Sequence, residues 1–391
     1  MAFNRTLNLV LPTVAAALIV VAPTASDAEE KEEQEGVVVK KVAAGLHSGH
    51  AFGPRLRTDG TWVAYGVRET VKGTFKTGYY ARSLGEDGIF RSVWPNQHPS
   101  FAEGEGTASF SDLVGFEWAV DGKHNAMVCL HKEKGQEVLL EKLNVRFGGK
   151  GDQSMPKFSA EGDRVVAICQ NDSGGTDLCV ADTVDGSLMT QLTFTEEQET
   201  SPDWHPKDSK VIHEFRNRLG GDIYVFDLDM FSHEPIFRAG TSDEILPTFS
   251  PAGGQFAFLS NLADTSKDQY DLYVTEPGAG LPIKIIDNIR RSKHSRGYTW
   301  DPLGRFVVGV SNDEAAGYPL VIAPADGSAP AQSLGVPSTD NMDPVMVPLD
   351  GAIRLVWVGI SPDSKPDQQW RVVHVADHDV SGMAALVSPP E

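Results

Sequence analysis

The sequence predicts an all-β protein, a single β-propeller of four-stranded blades. Three observations carry that expectation. A short turn motif recurs along the chain, each copy keeps a fixed internal offset, and the best copies place an acid-led third strand at a similar distance downstream.

The clearest unit spans residues 247–259, PTFSPAGGQFAFL. Residues 202–213 (PDWHPKDSKVIH), 156–168 (PKFSAEGDRVVAI), 298–310 (YTWDPLGRFVVGV) and 117–128 (EWAVDGKHNAMV) are its relatives. Weaker copies lie at 54–65 (PRLRTDGTWVAY) and 344–355 (PVMVPLDGAIRL). An apolar anchor sits in each: Leu56, Trp118, Phe158, Trp204, Phe249, Trp300 and Met346. Four residues later comes Gly60, Gly122, Gly162, Asp208, Gly253, Gly304 or Asp350. Successive anchors lie 62, 40, 46, 45, 51 and 46 residues apart. Glycine or aspartate suits the turn because a tight hairpin demands φ > 0 there.

The elements follow in order within each unit. The anchor ends a first strand, and an alternating run such as Phe256-Ala257-Phe258-Leu259 forms the second. A polar loop follows, and the third strand opens at Asp177-Leu178-Cys179-Val180, Asp222-Ile223-Tyr224-Val225 or Asp271-Leu272-Tyr273-Val274. A short fourth strand, as in 282–286 (PIKII), precedes the next anchor. Four strands in 40–50 residues match a propeller blade, whose faces are buried only by neighbours around a ring. A β-sandwich has a similar strand count but no reason to repeat an anchor-plus-four turn at one period. Seven anchors predict seven blades, with six and a decorated first blade as the alternative. Residues 37–42 (VVVKKV) are expected to close the ring by pairing with 370–376 (WRVVHVA).

Before the repeats, Arg5, the apolar run 7–21 and the small residues Ser26 and Ala28 read in the order of a secretory signal peptide. The alternative is an uncleaved anchor, but the run is short for a span and holds Pro12. The expected organisation is a signal peptide at 1–28, an acidic disordered leader at 29–36 (EEKEEQE within it), and the propeller at 37–391. The expected location is the periplasm or the exterior. The chain is acidic, with a formal net charge of −20, which argues against nucleic acid and favours solubility or cationic partners. No later segment is apolar enough to span a bilayer, and a monomer is expected.

The repeats resemble those of the TolB-type propeller family: an aromatic, a Ser-Pro-Asp-Gly-like turn, a β-run, then Asp-Ile-Tyr-Val. Trp204-His205-Pro206-Lys207-Asp208 with Asp222-Ile223-Tyr224-Val225-Phe226-Asp227 is the nearest copy. Phe249-Ser250-Pro251-Ala252-Gly253 with Asp271-Leu272-Tyr273-Val274 is the second. The resemblance covers about residues 50–380 and implies the fold. For function it implies little, because such repeats serve translocation proteins, lyases and peptidase accessory domains alike. The chain departs from TolB in leaving no room for a separate α/β domain before the first anchor.

Catalytic motifs are absent from the sequence: no G-x-S-x-G, H-E-x-x-H, G-x-x-x-x-G-K-S/T or C-x-x-C occurs. The leading expectation is therefore a non-enzymatic propeller that binds an envelope or extracellular protein or peptide, with no catalytic residue, cofactor or metal assigned. The enzymatic alternative is a polysaccharide lyase of the oligogalacturonate type with a metal–histidine site. It would draw on His47 with His50, His205 with His213, or His374 with His378. Against the last pair, a spacing of four along a strand places two side chains on one face but about 13 Å apart. Calcium could be held by Asn171, Asp172 and Asp177, or by Asp264, Asp268 and Asp271, although polar hairpin tips are ordinarily just solvated.

Three cysteines fit no disulfide scaffold. Cys169 and Cys179 flank a loop with Gly174 at its midpoint, so a hairpin centred there sets them face to face. An oxidising compartment favours a bridge, with Cys129 free. The alternative is two small buried apolar groups, since Cys179 stands where sister repeats carry Tyr224 and Tyr273.

Overall fold

The computed structural model describes residues 31–379 apart from 35–36, 43–48, 57–59, 72–73, 85–89, 93–107, 111–113, 120–124, 134–135, 140–152, 161–162, 172, 183–189, 266–267, 292–295, 366 and 368. For 31–42, 74–83 and 90–139 only strand assignments are described. The signal peptide expected at 1–28 therefore lies outside the described residues.

The described regular structure is all β. After β1 (Lys31–Gln34) and β2 (Val37–Val42) come seven groups of strands. The first is β3 (Gly49–Leu56), β4 (Trp62–Val71), β5 (Thr74–Ser83) and β6 (Phe90–Ser92). The second is β7 (Ala108–Phe110), β8 (Val114–Ala119), β9 (Asn125–Glu133) and β10 (Gln136–Leu139). The third is β11 (Gln153–Phe158), β12 (Arg164–Gln170), β13 (Thr176–Asp182) and β14 (Thr190–Gln191). The fourth is β15 (Gln198–Trp204), β16 (Lys210–Asn217), β17 (Gly220–Asp227) and β18 (Ser232–Phe237). The fifth is β19 (Glu244–Phe249), β20 (Phe256–Ser260), β21 (Asp271–Thr275) and β22 (Ile283–Ile286). The sixth is β23 (Tyr298–Trp300), β24 (Phe306–Val310), β25 (Leu320–Pro324) and β26 (Gln332–Ser333). The seventh is β27 (Thr339–Leu349), β28 (Ala352–Ile360) and β29 (Arg371–Asp379).

Within groups the strands pair antiparallel in chain order, and a parallel bridge of Thr176 with Gln198 links the ladders of the third and fourth groups. The second group is offset: its anchor Trp118 ends β8, its second strand. The ring closes as the sequence suggests, with β2 pairing β29 from Val39 opposite Ala376 to Val42 opposite Val373. β1 then adds to β2, with Glu32 opposite Val39. Residues 31–34, expected as disordered leader, are thus a strand. The exposed edge of β2 gives their backbone groups partners, which composition alone does not reveal.

The core lies between groups, as stacked sheets require. Leu56 clusters with Val356 and Val375 of the seventh group, and Trp204 with Ile168 and Leu178 of the third. Phe249 meets Ile212 and Ile223 of the fourth, Trp300 meets Leu259 and Leu272 of the fifth, and Met346 meets Val308 and Leu320 of the sixth. Each of these anchors packs against the preceding group and is buried. The side chains of Trp118 and Phe158 lie outside the described residues.

First strands touch around the ring: β3 contacts β7 and β27, β11 contacts β7, β8 and β15, β15 contacts β19, and β23 contacts β27. They therefore line the central channel.

Candidate binding site in the channel

The first strands share a backbone feature that the side-chain pattern hides. Three residues before six of the seven anchors the chain turns left-handed: Gly53 (φ 53°), Met155 (54°), Ser201 (54°), Leu246 (54°), Gly297 (77°) and Asp343 (57°). The ladders slip there, between Phe52 and Arg55, Ser154 and Lys157, Thr200 and Asp203, Ile245 and Thr248, and Met342 and Val345. These are β-bulges. Four of them put a side chain other than glycine at φ > 0, a strained arrangement that is maintained where the surroundings demand it.

The bulge frees carbonyls and re-aims the residue just before the anchor. Those residues are Arg55, Lys157, Asp203, Thr248, Thr299 and Val345. Around the axis they meet. Thr248 Oγ1 donates to Asp203 Oδ2 at 2.6 Å, joining the fifth and fourth groups. Arg296, entering the sixth group, reaches past the fifth to come within 3.7 Å of Asp203. Its guanidinium also donates to the carbonyls of Pro247 (3.0 Å), Pro202 (3.0 Å) and Ser201 (3.4 Å). The Trp204 indole donates to the Lys157 carbonyl at 2.9 Å, and the Gly53 N–H donates to Asp343 Oδ2 at 2.9 Å. Asp343 Oδ1 is buried with no hydrogen-bond partner among the described residues.

Electrostatics mark the same cluster. Burial pushes the Lys157 ammonium well below its usual pKa, and the Arg296 and Arg55 charges add to the shift. Burial also lowers Arg55, to about 10, against the opposing pull of Asp343. Three cations thus share the channel with two described carboxylates, inside a chain whose overall charge is −20.

At the channel mouth the rim is built from ion pairs. Asp340 lies 2.7 Å from both Arg290 and Arg371, and Arg290 stacks over Tyr318 at 3.6 Å. Asp243 takes the Gly221 N–H at 2.6 Å and the Tyr270 hydroxyl, with Arg216 at 3.4 Å. One residue further in, Glu199 and Glu244 are fully buried, each with one oxygen lacking a hydrogen-bond partner among the described residues. Burial raises Glu199 to about 7 and raises Glu244 as well.

The histidines that the sequence singles out go to separate places. His205 sits in the turn after Trp204, accepting the Asp208 N–H at Nδ1 (2.9 Å), with Nε2 3.1 Å from the Gly253 carbonyl. His213 does not meet it; its Nε2 lies 2.9 Å from Nε2 of His233, and the two rings stack at 5.0 Å. Burial lowers His213 to about 3. His374 stacks on Trp357 and lies with His378 on β29, both buried. His50 is exposed, its Nδ1 3.4 Å from the Arg371 N–H, and His47 lies outside the described residues. Among the described residues no three His, Cys, Asp or Glu side chains gather as a metal-binding group.

The acids considered for calcium hold protein donors. Asp177 accepts from Asn171 Nδ2 (2.9 Å), Gln191 Nε2 (2.8 Å), Thr193 Oγ1 (3.2 Å) and the Thr195 N–H (3.1 Å), which fixes the loop into the fourth group. Asp268 pairs with Arg291 at 2.7 Å, and Asp271 takes the Asn288 N–H at 2.9 Å. Asp172 lies outside the described residues.

The cysteines differ from the face-to-face expectation. Cys169 stands opposite Asp177 and Cys179 opposite Ala167, because the hairpin is centred one residue earlier, at Ser173. They are diagonal neighbours on one face, with Cα atoms 6.2 Å apart, and the structure joins their sulfurs. Cys129 lies on β9, its side chain outside the described residues.

No family model matches the chain, and no curated protein matches it. Solved structures do. An oligogalacturonate lyase in complex with manganese aligns over 90% of this chain and 97% of its own, at 13% identity and a TM-score of 0.61. The β-propeller domain of the Trilobed protease from Pyrococcus furiosus covers 87% and 99%, at 12% identity and a TM-score of 0.53. TolB from Acinetobacter baumannii covers 81% and 80% at 10% identity, with a TM-score of only 0.43, too low to add weight. At these identities the likeness is one of fold, and the fold is the β-propeller.

Proposed function

We propose that the chain is an exported, non-enzymatic binding propeller that holds a protein or peptide at the mouth of its channel. One observation carries this reading: the bulges turn the first strands' polar side chains and free carbonyls toward the axis, building a charged lining on a rigid frame. Rigid strands that present polar groups around an opening suit recognition, since the groups are ordered before the ligand arrives. Of the described histidines, His50 sits alone at the rim against the Arg371 N–H, while His205, His213, His233, His374 and His378 are engaged in a turn, ring stacks and strand packing.

A lyase is the second reading, favoured by Lys157. A buried amine with a depressed pKa beside two guanidiniums has the character of a base next to a carboxylate-binding pair. No helix among the described residues is long and apolar enough to cross a membrane, and the acidic surface suits a cationic partner. The test is retention of an envelope or extracellular protein from extract by the immobilised full chain, alongside incubation with polygalacturonate. A specifically retained partner and no unsaturated sugar product are expected. Product formation that disappears in Lys157→Met would replace the binding reading with the lyase.

A further inference from the structure

We propose that His213 and His233 form a cuprous-ion site on the fourth group, two imidazoles holding the ion in line between them. The pair lies on the second and fourth strands of its group, away from the first strands that line the channel. His213 stands opposite Tyr224 and His233 opposite Phe226, both on the intervening β17. With β17 between them, β16 and β18 run about 10 Å apart, a gap that two inward-leaning rings span. The shared face is the one turned to the third group, because Val211 and Phe226 on it pack against Ile168 and Leu178. The ring centroids are 5.0 Å apart and the Nε2 atoms 2.9 Å apart, with the planes at 22°. The difference between those two distances is close to the sum of two ring radii. The near-parallel rings are therefore offset almost edge to edge, and both nitrogens lie near the line that joins them.

The backbone sets the protonation of this pair. His213 Nδ1 lies 3.2 Å from the Glu214 carbonyl, which can only accept, so the proton sits on Nδ1 and Nε2 carries a lone pair. An N–H given to a backbone carbonyl is what orients metal-ligating histidines. Burial lowers His213 to about 3, so the lone pair persists at neutral pH. His233 then supplies the N–H between the rings. Being partly exposed, it can pass that proton through water to its own Nδ1. Its Nε2 gains a lone pair, and a cation replaces the proton between the rings with no net proton released.

The axis chooses the ion. Lone pairs that face each other along one line suit two-coordinate ligation, whereas tetrahedral and octahedral ions need donors converging at an angle. Among the described residues no third His, Cys, Asp or Glu joins the pair, so nothing there balances a double charge. Tyr224 lies 6.1 Å from His213 and 4.9 Å from His233 by ring centroids. The midpoint of the pair is thus about 5 Å from the Tyr224 centroid, inside the roughly 6 Å reach of a cation–π contact. Arg238, over Tyr224 at 4.9 Å, has its charge offset by Asp222 at 3.8 Å. A closed-shell monovalent ion fits these terms, and imidazole suits copper. Two metal–nitrogen bonds of about 2.0 Å set the nitrogens about 4 Å apart, so each ring must tilt outward by about half an ångström. His233, partly exposed on the edge strand β18, can take up that movement.

The test adds one equivalent of Cu(I), in anaerobic ascorbate, to the folded full chain after its accessible thiol has been alkylated. Copper-edge absorption should show two nitrogen ligands in line and no sulfur. His233→Gln should weaken binding more than about a hundredfold, beyond the usual cost of losing a group that merely supports a ligand, while His50→Gln leaves it unchanged. The metal-free melting temperature of His233→Gln should match the wild type, and the wild-type spectrum decides the matter even if it does not. Sulfur bound to the copper, three or more ligands, equal affinity in His233→Gln, or no binding each overturns the site. Zn(II) held at the pair in preference to Cu(I) overturns it too. All of these outcomes leave the channel reading intact, because the pair stands apart from the first strands.

Discussion

Trp204 and Trp300 occupy one repeat position, yet their indole nitrogens have different fates. Trp204 Nε1 donates to the Lys157 carbonyl, whereas Trp300 Nε1 is buried without an acceptor among the described residues. Truncating either to Ala removes about 200 Å² of buried surface, or roughly 3–5 kcal/mol with the cavity included. Phe substitution separates the two. Trp300→Phe loses part of a ring but also removes an unsatisfied N–H whose burial costs about 1–3 kcal/mol, so the net loss should be near 1 kcal/mol. Trp204→Phe loses the same ring area and leaves the Lys157 carbonyl without its donor, so it should cost about 2 kcal/mol more. Urea unfolding of both variants, with equal m-values as the check on comparable end states, reads the difference directly. If Trp300→Phe proved as costly as Trp204→Phe, the assignment of these hydrogen bonds would be wrong.

Three further outcomes are expected. Thiol titration of the unreduced, denatured protein should find one free thiol, Cys129; three would rule out the Cys169–Cys179 bridge. Glu199, raised to about 7 by burial, binds a proton in the folded state that the unfolded chain releases near 4.5. Its contribution is thus fully present below about pH 4.5 and is lost as pH rises through 7, by roughly 3 kcal/mol at most. Glu199→Gln should flatten the stability profile between pH 5 and 7, and an unchanged slope would assign that proton elsewhere. Mass spectrometry of the native protein should find a new N-terminus near Glu29, while an intact Met1 in a soluble cytosolic fraction would exclude export.

Much of the fold was legible because anchor burial repeats by residue type. Trp204, Phe249 and Trp300 are large and apolar at a fixed distance from a turn, so the sequence exposes both the blade and its inter-blade contacts. The channel was not legible in the same way. The residues before the anchors, Arg55, Lys157, Asp203, Thr248, Thr299 and Val345, share a position and no chemistry. The bulge that aims them falls on Gly53, Met155, Ser201, Leu246, Gly297 and Asp343, a backbone conformation with no common side chain. Counting back from the anchor would have collected them. Arg296 lies outside the repeat logic, because it acts two groups away from its own strand. The cysteine hairpin shows how sharp such limits are: moving the turn centre from Gly174 to Ser173 changes an opposed pair into a diagonal one.

The pairing of Val39 with Ala376 has a kinetic consequence. Those residues are 337 positions apart, and joining chain ends at such a separation costs on the order of 5 kcal/mol in conformational entropy. That contact cannot form until the last strand has been delivered, although its partner emerges among the first. In the interval β2 lacks its β29 partner and the β3 face lacks its seventh-group cover, which invites association with other chains. A chain synthesised amino end first must therefore keep its latch strand idle until synthesis is nearly complete, and slow, concentration-sensitive refolding follows from the topology itself.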